Sequence, residues 1–216
     1  MCRHEQARMM ETLNRLRARL HPQPMLEVTP RIGDRDLNPD WQAEAARTAA
    51  RPALRDAAVL VPLVVRDAGL QLLLTRRSDH LAKHAGQVSF PGGGVQDGDA
   101  GPQETALRET EEEVGLSRRH VSVIGYTERY ETGTGFAIQP VVALVQPPFD
   151  LTIDANEVAE AFEVPFDFVM DPANHQTHHA VWQGRKRAYY AIPFGRHYIW
   201  GATAGMLVAL RRRLYG

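Results

Sequence analysis

Cysteine is almost absent from this chain. The single thiol, Cys2, has no partner for an internal disulfide, so the fold does not depend on cross-links and a reducing cytoplasm is the expected compartment. Long hydrophobic runs are also lacking. The most apolar stretches, 57–65 and 202–210, are far shorter than the roughly 20 residues a bilayer requires, and no membrane association is expected. The first residues, MCRHEQARMMETLNRL, intersperse charges with apolar side chains and show no continuous core of the kind a secretory leader carries. Neither sign of charge is in excess: 25 Lys and Arg stand against 26 Asp and Glu, for a net charge of -1. The basic surplus that grips a nucleic-acid backbone is missing. The basic residues are almost all arginine, a compositional bias that becomes informative only where a guanidinium can fork onto a phosphate. No internal repeat or low-complexity tract is present, and 216 residues suit one domain with a substantial core.

Met9, Leu13, Leu16 and Leu20 recur at helical spacing over residues 5–20, and Pro22 and Pro24 end that pattern. Residues 22–56 hold five prolines and little periodicity beyond a short helix over 40–50, which reads as an arm wrapped on the main domain. The expected division is therefore a helix and arm over 1–56 and the main domain over 57–216. From Ala57 the runs AAVLVPLVV and LQLLLTR, joined at Arg66–Gly69, predict two buried strands. Pro62, lacking an amide hydrogen, should mark an edge or a bulge. Alternation predicts a pair of strands over 121–130 and 136–146. Pro165 should open a short helix through Val169, and a hairpin should join 178–183 to 187–192 at Gly184. Residues 198–214 are apolar almost all round and end in Arg211, Arg212 and Arg213, which predicts a buried terminal helix whose last turn opposes the helix dipole. Mixed strands between helices make the fold class α/β.

The chemistry concentrates in Gly92–Leu116, GGGVQDGDAGPQETALRETEEEVGL. A glycine-rich loop runs there into a helix carrying Glu109, Glu112 and Glu113. At roughly 100° per residue, positions i, i+3 and i+4 share one side of the helix, so three carboxylates converge on one volume. Hard oxygen donors of this kind suit Mg2+ or Mn2+. Leu107, Thr110 and Val114 fall on a different side, leaving the helix free to pack and coordinate at once. Glu111 projects elsewhere, toward solvent or a surface ion pair. Arg108 is placed to orient a neighbouring carboxylate through a charge-assisted bond. Gly115 is expected to end the helix at positive φ.

This segment, Arg108 to Leu116 preceded by Gly94, resembles the Nudix box, the signature of hydrolases that cleave nucleoside diphosphates linked to another group. The family pattern places a further glutamate eight residues before the arginine. That position is Ala100 here, with Asp97 and Asp99 beside it and Glu104 four residues on. The resemblance implies an α/β/α sandwich with a mixed sheet and the Nudix loop–helix–loop. Upstream, Leu73-Leu74-Thr75-Arg76-Arg77-Ser78, then Gly86, then Phe90-Pro91-Gly92-Gly93, resembles the extra signature of the coenzyme A pyrophosphatase branch. An arginine of that signature is replaced by Ala82, next to Lys83.

The resemblance implies divalent-metal-dependent hydrolysis of coenzyme A or its thioesters to 3',5'-ADP and a 4'-phosphopantetheine product. Glu109, Glu112 and Glu113 would hold the cations, with Arg108 beside them and Glu157 as the candidate general base. Arg77, Lys83 and His84 are candidates for contact with substrate phosphates, and Phe90 either packs in the core or lines the cleft. Gly92 and Gly93 permit a tight loop and close backbone approach. The expected partner is a small molecule, and the arm and apolar strands could support a homodimer. Two other readings stay open: a Nudix hydrolase acting on an ADP-sugar, dinucleotide or nucleoside triphosphate, which Ala82 leaves room for, and a non-catalytic nucleotide-ligand sensor, for which Ala100 would be a first sign of erosion. An isomerase on a related scaffold would be expected to need a proton donor such as a cysteine, and Cys2 is the only one.

Overall fold

The computed structural model describes residues 3–25, 32–34, 36–38, 53–182 and 184–216. Cys2 and the expected helix over 40–50 lie outside them. The helix expected at the start is α1 (Arg3–Arg19), and its buried Leu13 and Leu16, with Leu20 just beyond it, join the main core. In chain order there follow β1 (Ile32–Gly33), β2 (Arg55–Arg66), β3 (Gly69–Arg77), β4 (Val88–Ser89), β5 (Gly92–Gly94), α2 (Pro102–Val114), β6 (Val121–Tyr126), β7 (Tyr130–Glu131), β8 (Phe136–Val145), β9 (Val158–Pro165), α3 (Phe166–Met170), β10 (Gln176–Trp182), β11 (Arg185–Phe194), β12 (His197–Trp200) and α4 (Gly201–Tyr215).

The first nine strands form one mixed sheet. Its main order is β1-β7-β8-β2-β3-β4, with β5 also paired to β2, β6 to β8 and β9 to β3. The pairing of β2 with β8 is parallel and that of β2 with β3 antiparallel. Alternation along the strands sorts side chains to the two faces. Val59, Val61 and Leu63 of β2, Leu72 and Leu74 of β3 and Val142 and Leu144 of β8 join the cluster that holds α1, α3 and α4. Ala58 and Leu60 of β2, with Val141 and Ala143 of β8, pack with Ala106 of α2. Val64, Leu73 and Val145 meet Val114 at the other end of that helix. The sheet is thus sandwiched between α2 and the remaining helices, as the α/β/α expectation requires.

Two local expectations are corrected. Pro62 is not at a sheet edge: it lies inside β2, opposite Ala143 of β8. On its other side β2 pairs with β5 through Val59 and with β3 from Leu63 onward, so the proline falls where one partner ends and the next begins. Leu60 donates to Pro91 O at 2.9 Å on that side, and the missing amide hydrogen two residues later falls at this change of partner. The terminal helix begins at Gly201, later than expected, because 197–200 form β12 against β11. That strand and the expected hairpin make a second, three-stranded antiparallel sheet. In α4, Arg212 donates to Tyr190 Oη at 2.8 Å and Arg213 pairs with Glu128, so both have protein partners. No described helix is long and apolar enough to cross a membrane.

Candidate active site

The glycine run becomes a short strand because its backbone has a template. Gly94, Gly93 and Gly92 of β5 pair antiparallel with Ala57, Ala58 and Val59 of β2. After Gly101, Pro102 opens α2, and Gly115 closes it at φ 68°, donating to Glu111 O at 3.0 Å. Buried Ala106, Thr110 and Val114 hold the helix against the sheet, which lays its acidic side directly on β5. A Cβ added to Gly93 would stand 2.5 Å from Glu109 Cδ. The Gly92 amide donates to Glu113 Oε2 at 3.3 Å.

The three glutamates of α2 are not equivalent. Glu113 and Glu109 turn toward the glycine strand, with side chains 4% and 14% exposed, whereas Glu112 is 59% exposed. Arg108 Nη1 stands between two of them, donating to Glu109 Oε1 at 2.9 Å and Glu112 Oε2 at 3.0 Å. Among the described residues, no three His, Cys, Asp or Glu side chains are gathered as a ready-made ion cage. The donor set nevertheless fits a divalent cation by its chemistry. It offers hard oxygens on desolvated side chains, and Glu157 adds like charge that both Glu109 and Glu113 feel. Glu111, as expected, pairs at the surface with Arg118 at 3.2 Å.

The upstream stretch acts first as scaffolding. Ser78 is buried; its hydroxyl donates to Ala155 O at 2.8 Å and its amide to Glu157 O at 2.9 Å. These bonds tie the end of β3 to the segment that carries Glu157. Thr75 Oγ1 lies 3.1 Å from Ser89 Oγ, across the β3–β4 pair. Arg77, a candidate for phosphate, has Nη1 3.7 Å from Glu113 Oε1, and its Nε is buried without a hydrogen-bond partner. Lys83 and His84 lie on an exposed loop, where His84 Nδ1 meets Gln87 Oε1 at 2.9 Å. Neither is paired with the helix glutamates among the described residues. Phe90 packs in the large apolar cluster, 2% exposed, which resolves its two readings toward the core.

In the sequence Asp99 stands out only as a neighbour of Ala100. It accepts from Arg108 Nε and Nη2, both at 3.0 Å, from Thr105 Oγ1 at 2.8 Å and from the Gln96 amide at 3.0 Å. These bonds, led by that to Arg108, hold its carboxyl well below the usual range, and Asp99 in turn raises Arg108.

Burial pushes Glu113 up to about 8, with Glu157 and Glu109 adding to the rise and the Gly92 amide and Arg77 opposing it. Burial likewise raises Glu109, against the pull of Arg108. An unfolded glutamate titrates near ~4.3. Between that value and about 8 the folded chain keeps a proton on Glu113 that the unfolded chain has lost, so this contribution to stability is present at low pH and is lost as pH rises. The melting temperature of the metal-free protein is therefore expected to carry a component that falls from pH 5 to pH 8. The check is calorimetry across that range, in which Glu113→Gln should flatten the slope relative to wild type.

The NUDIX domain model matches residues 54–183, and the chain belongs to the Nudix family. It is similar to the uncharacterized Nudix hydrolase NudL of Escherichia coli K12, 39% identical over 153 residues that span 71% of this chain and 79% of NudL. The same figures, 39% over 153 residues with 71% and 79% coverage, hold for NudL of Shigella boydii serotype 18. Among solved structures it is similar to the Nudix hydrolase RenU of M. smegmatis, with 19% identity, 75% of this chain and 86% of that chain covered, and a TM-score of 0.48. The protein is accordingly a Nudix hydrolase, an enzyme of the class that acts on pyrophosphate bonds.

Proposed function

We propose that the protein hydrolyses the diphosphate bridge of coenzyme A or an acyl-coenzyme A with Mg2+ or Mn2+, releasing 3',5'-ADP and a 4'-phosphopantetheine product. The observation that carries the substrate is the stretch Leu73–Gly93, whose Leu-Leu-Thr-x-Arg-Ser and Phe-Pro-Gly-Gly elements run directly into the glycine strand beneath Glu109 and Glu113. Family membership supports the reaction type.

In this reading Glu109, Glu112 and Glu113 would hold the ions; Gly93 leaves room for Glu109 by having no side chain, and the Gly92 amide holds Glu113. A divalent cation bound there would neutralise phosphate oxygens and lower the pKa of the attacking water. Glu157 would take the proton from that water. Its like charge is already felt at Glu109 and Glu113, which supports a place beside the reacting centre. Arg77 would face the substrate's phosphates from the end of β3, and Lys83 and His84 would reach them from the exposed loop. The net charge of -1 supports a small-molecule substrate over a nucleic acid. A cytoplasmic homodimer completes the proposal.

Incubation with coenzyme A and Mg2+ or Mn2+, with products identified by mass, tests it. The expected product is 3',5'-ADP. Consumption of an ADP-sugar, a dinucleotide or a nucleoside triphosphate with coenzyme A untouched would overturn the substrate and leave the hydrolase standing. No turnover of any diphosphate compound would favour the ligand sensor.

A further inference from the structure

We propose that Asp99 is the positioning residue that sets Arg108 and, through it, the glutamates of α2, taking over from a neighbouring position the carboxylate that Ala100 lacks. The proposal rests on the hydrolase reading above and concerns how its charged groups are held.

The argument starts from the geometry of one guanidinium. Arg108 carries five N–H donors on three nitrogens in a rigid plane. Asp99 occupies one edge of that plane, Oδ1 on Nε and Oδ2 on Nη2, each at 3.0 Å. Nη2 also lies 3.4 Å from Gly94 O, which ties the same edge to the glycine strand. Only Nη1 is left for the helix acids, and it divides between Glu109 Oε1 at 2.9 Å and Glu112 Oε2 at 3.0 Å. Each of those glutamates therefore receives a single bond from Arg108 and keeps its other oxygen clear of it.

Asp99 is itself well fixed. Its side chain is 5% exposed, and the Gln96 amide and Thr105 hydroxyl hold Oδ2 independently of the arginine. The carboxylate is thus a prebuilt anchor on the loop into which α2 is set. Removing its charge would free the Nε–Nη2 edge, the edge best shaped for a two-point grip on a carboxylate. The nearest carboxylates are Glu109 and Glu112. A guanidinium that closes on either one competes directly with a divalent cation for the same oxygens. The function of Asp99 in this view is to hold a positive charge close enough to orient two glutamates and to stop it from neutralising them.

A purely structural role for Asp99, pinning the turn through Gln96 and Thr105, predicts something different, and the test separates the two. Asp99→Asn retains an acceptor oxygen for the turn and loses the charge that fixes Arg108. The expected result is a kcat lowered roughly 10- to 100-fold, in the range found when an outer partner of a metal site is removed, together with a several-fold rise in the Mg2+ concentration needed for half-maximal rate and a melting temperature close to wild type. The double substitution D99A/A100E returns a carboxylate to the neighbouring position and is expected to recover most of the lost rate. Thr105→Ala, which weakens the turn and leaves the Asp99–Arg108 pair intact, is expected to lower the melting temperature and leave the Mg2+ requirement unchanged. Wild-type kcat and Mg2+ requirement in Asp99→Asn would overturn the proposal. An effect in Thr105→Ala equal to that in Asp99→Asn would overturn it in favour of loop pinning. Failure of the hydrolase reading is seen separately, as wild-type protein that turns over no diphosphate compound; full turnover in Glu109→Gln and Glu113→Gln would show instead that the ions are held elsewhere.

Discussion

Glu113→Gln is expected to lower turnover by roughly three orders of magnitude, the several kcal/mol that a lost metal-holding carboxylate removes from transition-state stabilisation, while the fold survives. The side chain is almost fully enclosed, its Oε2 takes the Gly92 amide at 3.3 Å and its Oε1 lies 3.7 Å from Arg77. The amide of glutamine keeps the volume and still offers an oxygen to Gly92. Because burial already pushes the Glu113 carboxyl up to about 8, the neutral substitute relieves a desolvated acid at neutral and higher pH. The metal-free variant should melt no lower than wild type at pH 8. Steady-state kinetics beside a thermal melt checks both halves. A variant that keeps wild-type turnover would show that the ions are held elsewhere, and a variant that unfolds would show that the carboxylate is structural.

Two adjacent glycines are expected to separate stability from activity. A Cβ at Gly92 would lie 2.4 Å from Ala58 O and 2.6 Å from Val59 Cα, at φ +149°. Those obstacles are backbone atoms of the central strand, so they cannot move aside. Gly92→Ala should cost about 3 kcal/mol from strain and overpacking together, seen as a fall of about 10 °C in melting temperature for a chain of this size. At Gly93 the obstacle is the end of a side chain, Glu109 Cδ and Oε2, each 2.5 Å from the added carbon. The carboxylate can swing away at little cost to the fold, and in doing so it leaves its place beside Arg108. Gly93→Ala should therefore melt within about 3 °C of wild type and lose roughly 100-fold in turnover, the size of effect that an ångström-scale misplacement produces. Equal losses of stability in the two variants would refute the contrast.

Much of the site could be read from the chain because its signals are local. The spacing Glu109, Glu112, Glu113 places three acids on one side of a helix, Gly115 ends it, and Glu111 is left to the surface; each follows from helical geometry over a few residues. The strand pairs around 57–77 and 121–146 are equally legible, the first from continuous apolar runs and the second from alternation. The readings that changed depend on distant partners. Pro62 sits inside β2 because the neighbour of that strand changes from β5 to β3 there, which the run AAVLVPLVV does not encode. His197–Trp200 are a strand because β11 lies beside them, although their apolar pattern continues into the helix that follows. Lys83 and His84 belonged to the same motif as Arg77, yet only Arg77 stands against a helix glutamate, since it ends a strand of the sheet and they lie on an exposed loop.

The amino-acid sequence by itself determined the helix that bears the acids and the glycine-rich stretch before it, because backbone dihedrals and side-chain periodicity act within a few residues, and the resemblance of that stretch to the Nudix box pointed to the class. Only the tertiary structure decided which acids are desolvated, that Arg108 serves two of them with one nitrogen, and that Asp99 takes the other edge of the guanidinium. Desolvation and charge pairing depend on what the folded chain brings alongside. Here that is β2, which carries β5 under α2 and turns Glu109 and Glu113 into desolvated, mutually repelling groups.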